Sequence, residues 1–269
     1  MISQIADFQT EARELNRVLE GLPEAALGTP TAFKSWTIAD VLRHLHCGDL
    51  MALASLRSTE EFRAVRTDIQ SKKAAGLTTR DEARQRLAHL DGGHELRRHW
   101  LAHVETLCEQ LAARDPDDRL AWGGPDMGVR MFTTARQMET WAHGQEVHDA
   151  LGLDRAPTAR LKNIAVIGVR TYGWTFANRG LPPPGDAPHV RLDGPGGETW
   201  EWNAASAGGR VAGNALEFCQ VVTQVRNIAD TRLEVTGEPA KTWMAIAQCF
   251  AGPPEAPPAP GTRRRATRG

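Results

Sequence analysis

The spacing of apolar residues changes near residue 180, and this change limits the chain to a mainly helical fold with a small mixed unit at its end. Before the change, apolar side chains recur every three or four residues, as in Ile5, Phe8, Ala12, Leu15 and Leu19. That spacing is typical of helices that bury one face. After LPPPGDAP, apolar and polar residues alternate in HVRLDG and ETWEWN around a glycine-rich turn, which predicts a β-hairpin.

The two patterns predict two domains and a tail. The first is a bundle of four or five helices over residues 1–180, and the second is a small α+β domain over residues 187–252. Residues 253–269 are rich in proline and then in arginine, so we expect a disordered tail. Individual helices are predicted near 3–21, 37–53, 80–113, 130–150, 157–179, 210–225 and 239–250, with a strand in TRLEVTG.

The net charge, the apolar runs and the cysteine spacing limit the kinds of partner that we expect. The 269 residues carry a net charge of −1, which does not favour nucleic acid or an anionic membrane. No run of about 18 apolar residues predicts a membrane span, and the N-terminus has no apolar signal region. The four cysteines, Cys47, Cys108, Cys219 and Cys249, are widely spaced, which indicates reduced thiols. We therefore expect a cytoplasmic protein whose partners are small molecules.

One helix carries an unusual number of ionisable residues. In QMETWAHGQEVHDA, residues 137–150, Glu139 and His143 lie one helical turn apart, and Glu146 continues along the same edge of the buried face. A carboxylate in such a seam is costly unless it is paired or bound to a metal. Glu-x-x-x-His can supply an oxygen and an imidazole to zinc, iron or nickel, although a simple surface Glu–His hydrogen bond explains the spacing too.

A third ligand can come from the second helix, WTIADVLRHLHCGD, in which Thr37 and Asp40 form an approximate capping box. This helix contains His44, His46 and Asp49, and Asp49 falls near the centre of the apolar face, where a carboxylate is unexpected. A histidine from this helix would complete a site with three protein ligands and an open position. Periodicity slightly prefers His46, which is nearer to the apolar centre.

A competing pair lies in HWLAH, where His99 and His103 have the same i, i+4 spacing and Glu95 is one turn earlier. His103 is close to the apolar stripe of its helix. A buried histidine with satisfied hydrogen bonds explains that position as well as a metal ligand does. The pair therefore stands as the second candidate for a metal site.

Several of these segments resemble a known family. SWTIADVLRHL, followed about a hundred residues later by METWAHGQEVHDALG, resembles the metal-binding domain of mycothiol-dependent maleylpyruvate isomerases, within the DinB-like superfamily. The stretch NALEFCQVVTQVRNIADTRLEVTGEPAKTWMAIAQCFAGPP resembles their C-terminal domain. Within this group the chain is similar to a subfamily of uncharacterised actinobacterial metal-binding proteins, sometimes labelled as linked to wyosine base formation. The resemblance covers roughly residues 5–252.

The resemblance implies a mainly α fold, in which a DinB-like four-helix bundle precedes a small α+β domain of sterol-carrier-like form. It implies a zinc ion held by His44, Glu139 and His143, and so selects His44 where periodicity prefers His46. It also implies that Arg226 orients a substrate anion, although the local QVRN departs from the usual glycine-arginine pair. Glu146 is a candidate acid–base or ligand-orienting residue, whereas Asp149 is expected to be a solvated carboxylate at the helix end.

The function implied is that of a metal-dependent enzyme, with zinc the expected ion. It would use a low-molecular-weight thiol such as mycothiol as co-substrate to isomerise or conjugate a small electrophile, as a thiol-dependent isomerase or transferase. An open zinc position can bind a thiol and lower its pKa. Two alternatives stay open, namely a binding protein without turnover and a hydrolase or lyase that activates water at the metal.

Overall fold

The computed structural model describes residues 2–90 and 92–263, and their contacts divide the chain into two units, Met1–Leu151 and Gly152–Gly269. The sequence analysis ended the bundle near residue 180 instead. The contacts assign residues 161–177 to the second unit, because the first helix of this segment packs against a helix of that unit. Where an independently folding domain ends stays a prediction.

The first unit is a helical bundle, as the apolar stripes predicted. The helices that begin at Ser3 and Ile38 each pack against the helices that begin at Gly93 and Val129. Two shorter helices pack against the helix that begins at Ile38. A hairpin of two short strands precedes the last helix. The elements are α1 (Ser3–Glu20), α2 (Ile38–Arg57), α3 (Thr59–Ala74), α4 (Thr79–Arg86), α5 (Gly93–Ala112), β1 (Arg119–Leu120), β2 (Met127–Gly128) and α6 (Val129–Ala150).

The start of α2 is fixed by the predicted capping box. The Thr37 hydroxyl accepts from the backbone N–H of Asp40 at 3.1 Å, and the Asp40 carboxylate accepts from the backbone N–H of Thr37 at 3.1 Å. Arg84 from α4 donates two hydrogen bonds to the same carboxylate, at 2.6 and 2.7 Å. These bonds anchor the first turn of α2 about two turns before His44, so that the helix enters the bundle in one orientation.

A buried ion pair and one further hydrogen bond connect three of the four long helices. The Asp49 carboxylate in α2 is fully buried and accepts from Arg136 Nε in α6 at 2.9 Å and from Trp100 Nε1 in α5 at 3.0 Å. Arg136 also donates to the backbone carbonyl of Leu45 at 3.2 Å. Gly48 leaves the space for this guanidinium, because a Cβ there would lie 2.7 Å from Nη2 of Arg136. The carboxylate on the apolar face of α2 is therefore part of the packing of the bundle.

The second unit is the predicted α+β arrangement. Its four strands lie in the order β4-β3-β5-β6, with β3 parallel to β5 and the other neighbours antiparallel. Buried residues of the sheet and helices include Val190, Leu192, Val211, Phe218 and Trp243. The elements are α7 (Leu161–Arg170), α8 (Tyr172–Ala177), β3 (His189–Asp193), β4 (Thr199–Trp202), β5 (Arg210–Asn214), α9 (Ala215–Val222), β6 (Glu234–Thr236) and α10 (Glu238–Ile246).

One prediction for this unit differs from the structure. The helix predicted near 210–225 begins only at Ala215, because residues 210–214 form β5 and the Asn214 side chain caps α9 by accepting from the Leu216 N–H at 2.8 Å. The tail was predicted to be disordered from residue 253. Backbone carbonyls of Glu255 and Pro258 accept hydrogen bonds from this unit, and residues 264–269 lie outside the described residues. The disorder of the tail stays a prediction.

No helix within residues 2–90 and 92–263 combines the length and the apolar character that crossing a lipid bilayer would need.

We expect Asp49→Ala to lower the free energy of unfolding by about 3–5 kcal/mol, because it leaves the Arg136 guanidinium buried without its carboxylate. The matched control is Arg57→Ala, which removes an exposed ion pair with Glu61 at 3.5 Å and should cost at most about 1 kcal/mol. Urea unfolding followed by circular dichroism measures both. Equal and small losses in the two variants would contradict a central role for the buried pair.

Candidate functional site

Helices α2 and α6 bring two histidines and a carboxylate together. Oε2 of Glu139 lies 3.8 Å from Nε2 of His44 and 3.7 Å from Nε2 of His143. The two imidazole rings meet edge to face, with centroids 4.8 Å apart. Potential ligand atoms of the three residues all lie within 4.8 Å of one another. The structure thus groups His44, rather than His46, with the Glu-x-x-x-His pair.

Glu146 determines which nitrogen of His143 faces this cluster. One of its carboxylate oxygens lies 2.8 Å from Nδ1 of His143. A carboxylate can only accept, so Nδ1 carries a proton and Nε2 is the nitrogen that faces the cluster. A carboxylate on the far nitrogen of a histidine is the arrangement that orients metal-binding imidazoles in proteins.

The local environment favours the protonation states that bind cations. Burial lowers the pKa of His44, and its interaction with Glu139 offsets this only in part, so the imidazole is neutral at neutral pH. Burial alone would raise the pKa of Glu139, but the nearby His44 and His143 outweigh it and lower that pKa to about 2. The cluster therefore offers an anionic oxygen from Glu139 and a neutral nitrogen from His44.

This donor set fits a divalent transition metal. Two imidazole nitrogens and one carboxylate oxygen are ligands that zinc and iron accept, and three protein ligands leave a coordination position for another molecule. The hydrogen bond from His143 to Glu146 supports the fit, because it directs the second imidazole without occupying its ligand atom. His44, Glu139 and His143 are thus the residues that could hold such an ion.

A tight turn before α2 adds an aromatic wall to the cluster. The Phe33 ring meets His143 edge to face at 5.1 Å, and Trp36 meets His44 in the same way at 5.5 Å. Between them, Lys34 and Ser35 have φ of 50° and 55°, a left-handed conformation that costs energy for residues other than glycine. The Thr31 N–H closes the turn by donating to the Trp36 carbonyl at 2.8 Å.

The sequence analysis did not identify this turn as part of the site. No helical or strand period runs through the segment before Thr37. The available signal was the placement of two aromatic residues, Phe33 and Trp36, around two polar residues just before the cap of a helix that carries histidines.

Asp149 has different surroundings from those expected, whereas the role of Arg226 is untested. Asp149 was expected to be a solvated carboxylate, but it is buried and accepts from Gln145 Nε2 at 3.0 Å. Arg226 belongs to the second unit, where it follows α9 and its Nη1 donates to the backbone carbonyl of Val225 at 3.0 Å. Its predicted contact with a substrate anion stays a prediction.

The remaining histidine candidates form a group of their own. Potential ligand atoms of His46 in α2 and of His99 and His103 in α5 also lie within 4.8 Å of one another. Among the described residues, these two groups are the ones that combine three potential metal ligands. His99 and His103, the competing pair, are therefore joined by His46, which periodicity had preferred as the partner of Glu139 and His143.

Known proteins are similar in sequence to the first unit, which carries both histidine groups. The sequence model of the family described as the mycothiol maleylpyruvate isomerase N-terminal domain matches residues 8–148. Two proteins described as uncharacterized, from two strains of Mycobacterium tuberculosis, are each 39% identical over 250 residues. The aligned region covers 93% of this chain and 96% of each relative.

Solved structures share the fold. The crystal structures of the mycothiol-dependent maleylpyruvate isomerase and of a histidine-to-alanine mutant of it each superimpose with a TM-score of 0.51. They are 15% and 14% identical in sequence and cover 81% of this chain and 87% of their own. At this level of identity the likeness concerns the fold, which combines the helical bundle with a small C-terminal sheet.

We expect Glu146→Gln to weaken zinc binding by about 10–100-fold, because an amide no longer holds the Nδ1 proton of His143 as a carboxylate does. Asp149→Asn is the matched control, since it changes a second buried carboxylate of α6 that accepts from Gln145. Competition with a chromophoric chelator measures both affinities. An unchanged affinity in Glu146→Gln would contradict the orienting role of Glu146.

Proposed function

Because the chain belongs to the family of the mycothiol maleylpyruvate isomerase N-terminal domain, we propose that it is a metal-dependent isomerase that uses a low-molecular-weight thiol, such as mycothiol, on a small electrophilic substrate. The observation that carries this proposal is the cluster in which Nε2 of His44 and Nε2 of His143 approach one oxygen of Glu139.

In this proposal His44, Glu139 and His143 hold one divalent ion, with zinc as the expected metal. When bound, such an ion would supply the Lewis acidity that lowers the pKa of a thiol substrate toward neutral pH. Glu146 is a positioning residue, since its carboxylate fixes the proton on Nδ1 of His143 and keeps Nε2 directed toward Glu139.

The chain's own sulfur atoms do not offer an accessible nucleophile. All four cysteines lie within the described residues and are buried. Burial raises the pKa of Cys47 and of Cys108 to about 12, and raises that of Cys219 as well. A thiol rather than a thiolate is a poor nucleophile at neutral pH. The reactive sulfur would therefore come from an exogenous thiol.

The chemistry that this thiol would perform is a reversible addition. The thiolate sulfur forms a C–S bond to one carbon of an activated carbon–carbon double bond. The π electron pair of the double bond moves onto the activating carbonyl. Rotation about the resulting single bond follows. The electron pair then returns, the C–S bond breaks, and the thiolate leaves with no net consumption. If the adduct is protonated and released instead, the same first step makes the protein a transferase.

Substrate binding needs an apolar surface and a positive charge. Phe33 and Trp36 supply the apolar surface, since they pack directly against the two histidines. We retain Arg226, implied by the resemblance, as a residue that would bind a substrate carboxylate. Lys34 is a second candidate from the first unit, because its Nζ lies 5.3 Å from the centroid of Phe33.

The proposal is tested with the cobalt-substituted protein. We expect addition of mycothiol to change its visible absorption, because sulfur enters the coordination sphere, and we expect His143→Ala to lose the cobalt held by His44, Glu139 and His143 and, with it, this response. His148→Ala is the matched control, since it removes another buried histidine of α6 whose Nδ1 donates to the Gly144 carbonyl at 2.8 Å. That variant should retain metal and response.

Two results would count against the proposal. A spectrum that millimolar mycothiol leaves unchanged would remove the thiol from the mechanism, and hydrolase or lyase activity of the same protein would then indicate water as the nucleophile. Full metal content in His143→Ala would remove the metal site itself. An assay with a panel of α,β-unsaturated carboxylates, with and without mycothiol, then separates isomerisation from conjugation by whether the thiol is consumed.

A further inference from the structure

The second histidine group joins α2 to α5 within the first unit. The rings of His46 and His103 meet edge to face with centroids 4.6 Å apart, and the rings of His99 and His103 stack at 6.2 Å. Glu95, one turn before His99, is exposed and is not a member of the group. Three imidazoles from two facing helices thus converge with no carboxylate among them.

The buried member of the group has an unsatisfied nitrogen. His46 is 1% exposed, and its Nδ1 has no hydrogen-bond partner within residues 2–90 and 92–263. A buried polar atom without a partner costs free energy, and such atoms are uncommon in folded proteins. Burial and the neighbouring His103 and His99 lower the pKa of His46 to about 3, so the ring is the neutral form that binds metals.

The other two members are oriented and accessible. Nδ1 of His103 lies 2.9 Å from the backbone carbonyl of His99, so this nitrogen donates and Nε2 is the nitrogen left to bind a metal. His99 is exposed, and its ring can rotate toward its neighbours. Around a tetrahedral zinc ion, imidazole nitrogens lie about 3.3 Å from one another. The present limit of 4.8 Å therefore requires side-chain rotation but no rearrangement of the helices.

The group is distinct from the cluster of His44, Glu139 and His143. Two residues along a helix correspond to a rotation of about 200°, so His44 and His46 leave α2 on nearly opposite sides. His44 meets α6 and His46 meets α5. The two groups share no residue, and each has its own set of three potential ligands.

We propose that His46, His99 and His103 form a second metal site, which binds a divalent transition ion such as Zn²⁺ or Cu²⁺ and leaves a coordination position open toward solvent. Three imidazoles suit borderline ions, and an all-nitrogen site of this kind binds Cu²⁺ more tightly than Zn²⁺ or Ni²⁺. Oxygen-seeking ions such as Mg²⁺ and Ca²⁺ find no anionic ligand in it. An ion held there connects α2 to α5.

The test measures metal content of the full chain after equilibration with Zn²⁺ and removal of excess ion. Wild type should retain two equivalents, and both H99A/H103A and His143→Ala should retain one. His99 and His103 are exposed or half-exposed, so the double variant should fold, which circular dichroism checks. His189→Ala is the matched control, since it removes a histidine of the second unit that bonds to Glu201. Zn²⁺ should raise the Tm of His143→Ala but not that of the triple variant H99A/H103A/H143A.

The outcomes separate the two sites. One equivalent in wild type that only His143→Ala loses would overturn this inference and leave the proposed function intact. One equivalent that only H99A/H103A loses would support this site and overturn the metal site of the proposed function. Retention of the second equivalent in H99A/H103A, or metal loss in His189→Ala to the same extent, would indicate adventitious surface binding and overturn the inference.

Discussion

The buried pair of Asp49 and Arg136 determines how the helices of the first unit align. Neither charge can stay in the core without the other, so the two helices that carry them are restricted to one relative register. His46 lies one turn before Asp49, Glu139 lies one turn after Arg136, and His99 is adjacent to Trp100, the third member of the network. Both histidine groups are thus aligned by a polar contact that belongs to neither of them.

Much of this architecture could be predicted from the sequence, because amphipathic stripes are local patterns. The capping box of Thr37 and Asp40 was predicted for the same reason, since both members lie within one turn. Helix α3 was missed, because Phe62 is the sole buried residue within Thr59–Ala74 and no stripe marks it. The sequence analysis found Asp49 unexpected on an apolar face. It could not identify Arg136 as the partner, since 87 residues separate the two.

The candidate site shows the same division between local and non-local information. Glu139 and His143 were paired by their i, i+4 spacing, and their mutual distance of 3.7 Å follows from it. The choice between His44 and His46 depended on which helix each side of α2 faces, and periodicity carries no information about that. The turn with Phe33 and Trp36 was missed because its left-handed residues are lysine and serine, which give no signal of the kind that glycine would.

The burial of all four cysteines has a consequence for the behaviour of the protein under oxidative stress. Oxidation of cysteine to sulfenic acid and beyond follows exposure and thiolate character, and Cys47, Cys108 and Cys219 lack both. Peroxides would therefore leave these sulfur atoms of the polypeptide intact. Under the proposed chemistry, the component open to oxidation is the small thiol, whose disulfide cannot add to a double bond. The ratio of reduced to oxidised thiol in the cell would then set the turnover rate, with these three cysteines unchanged.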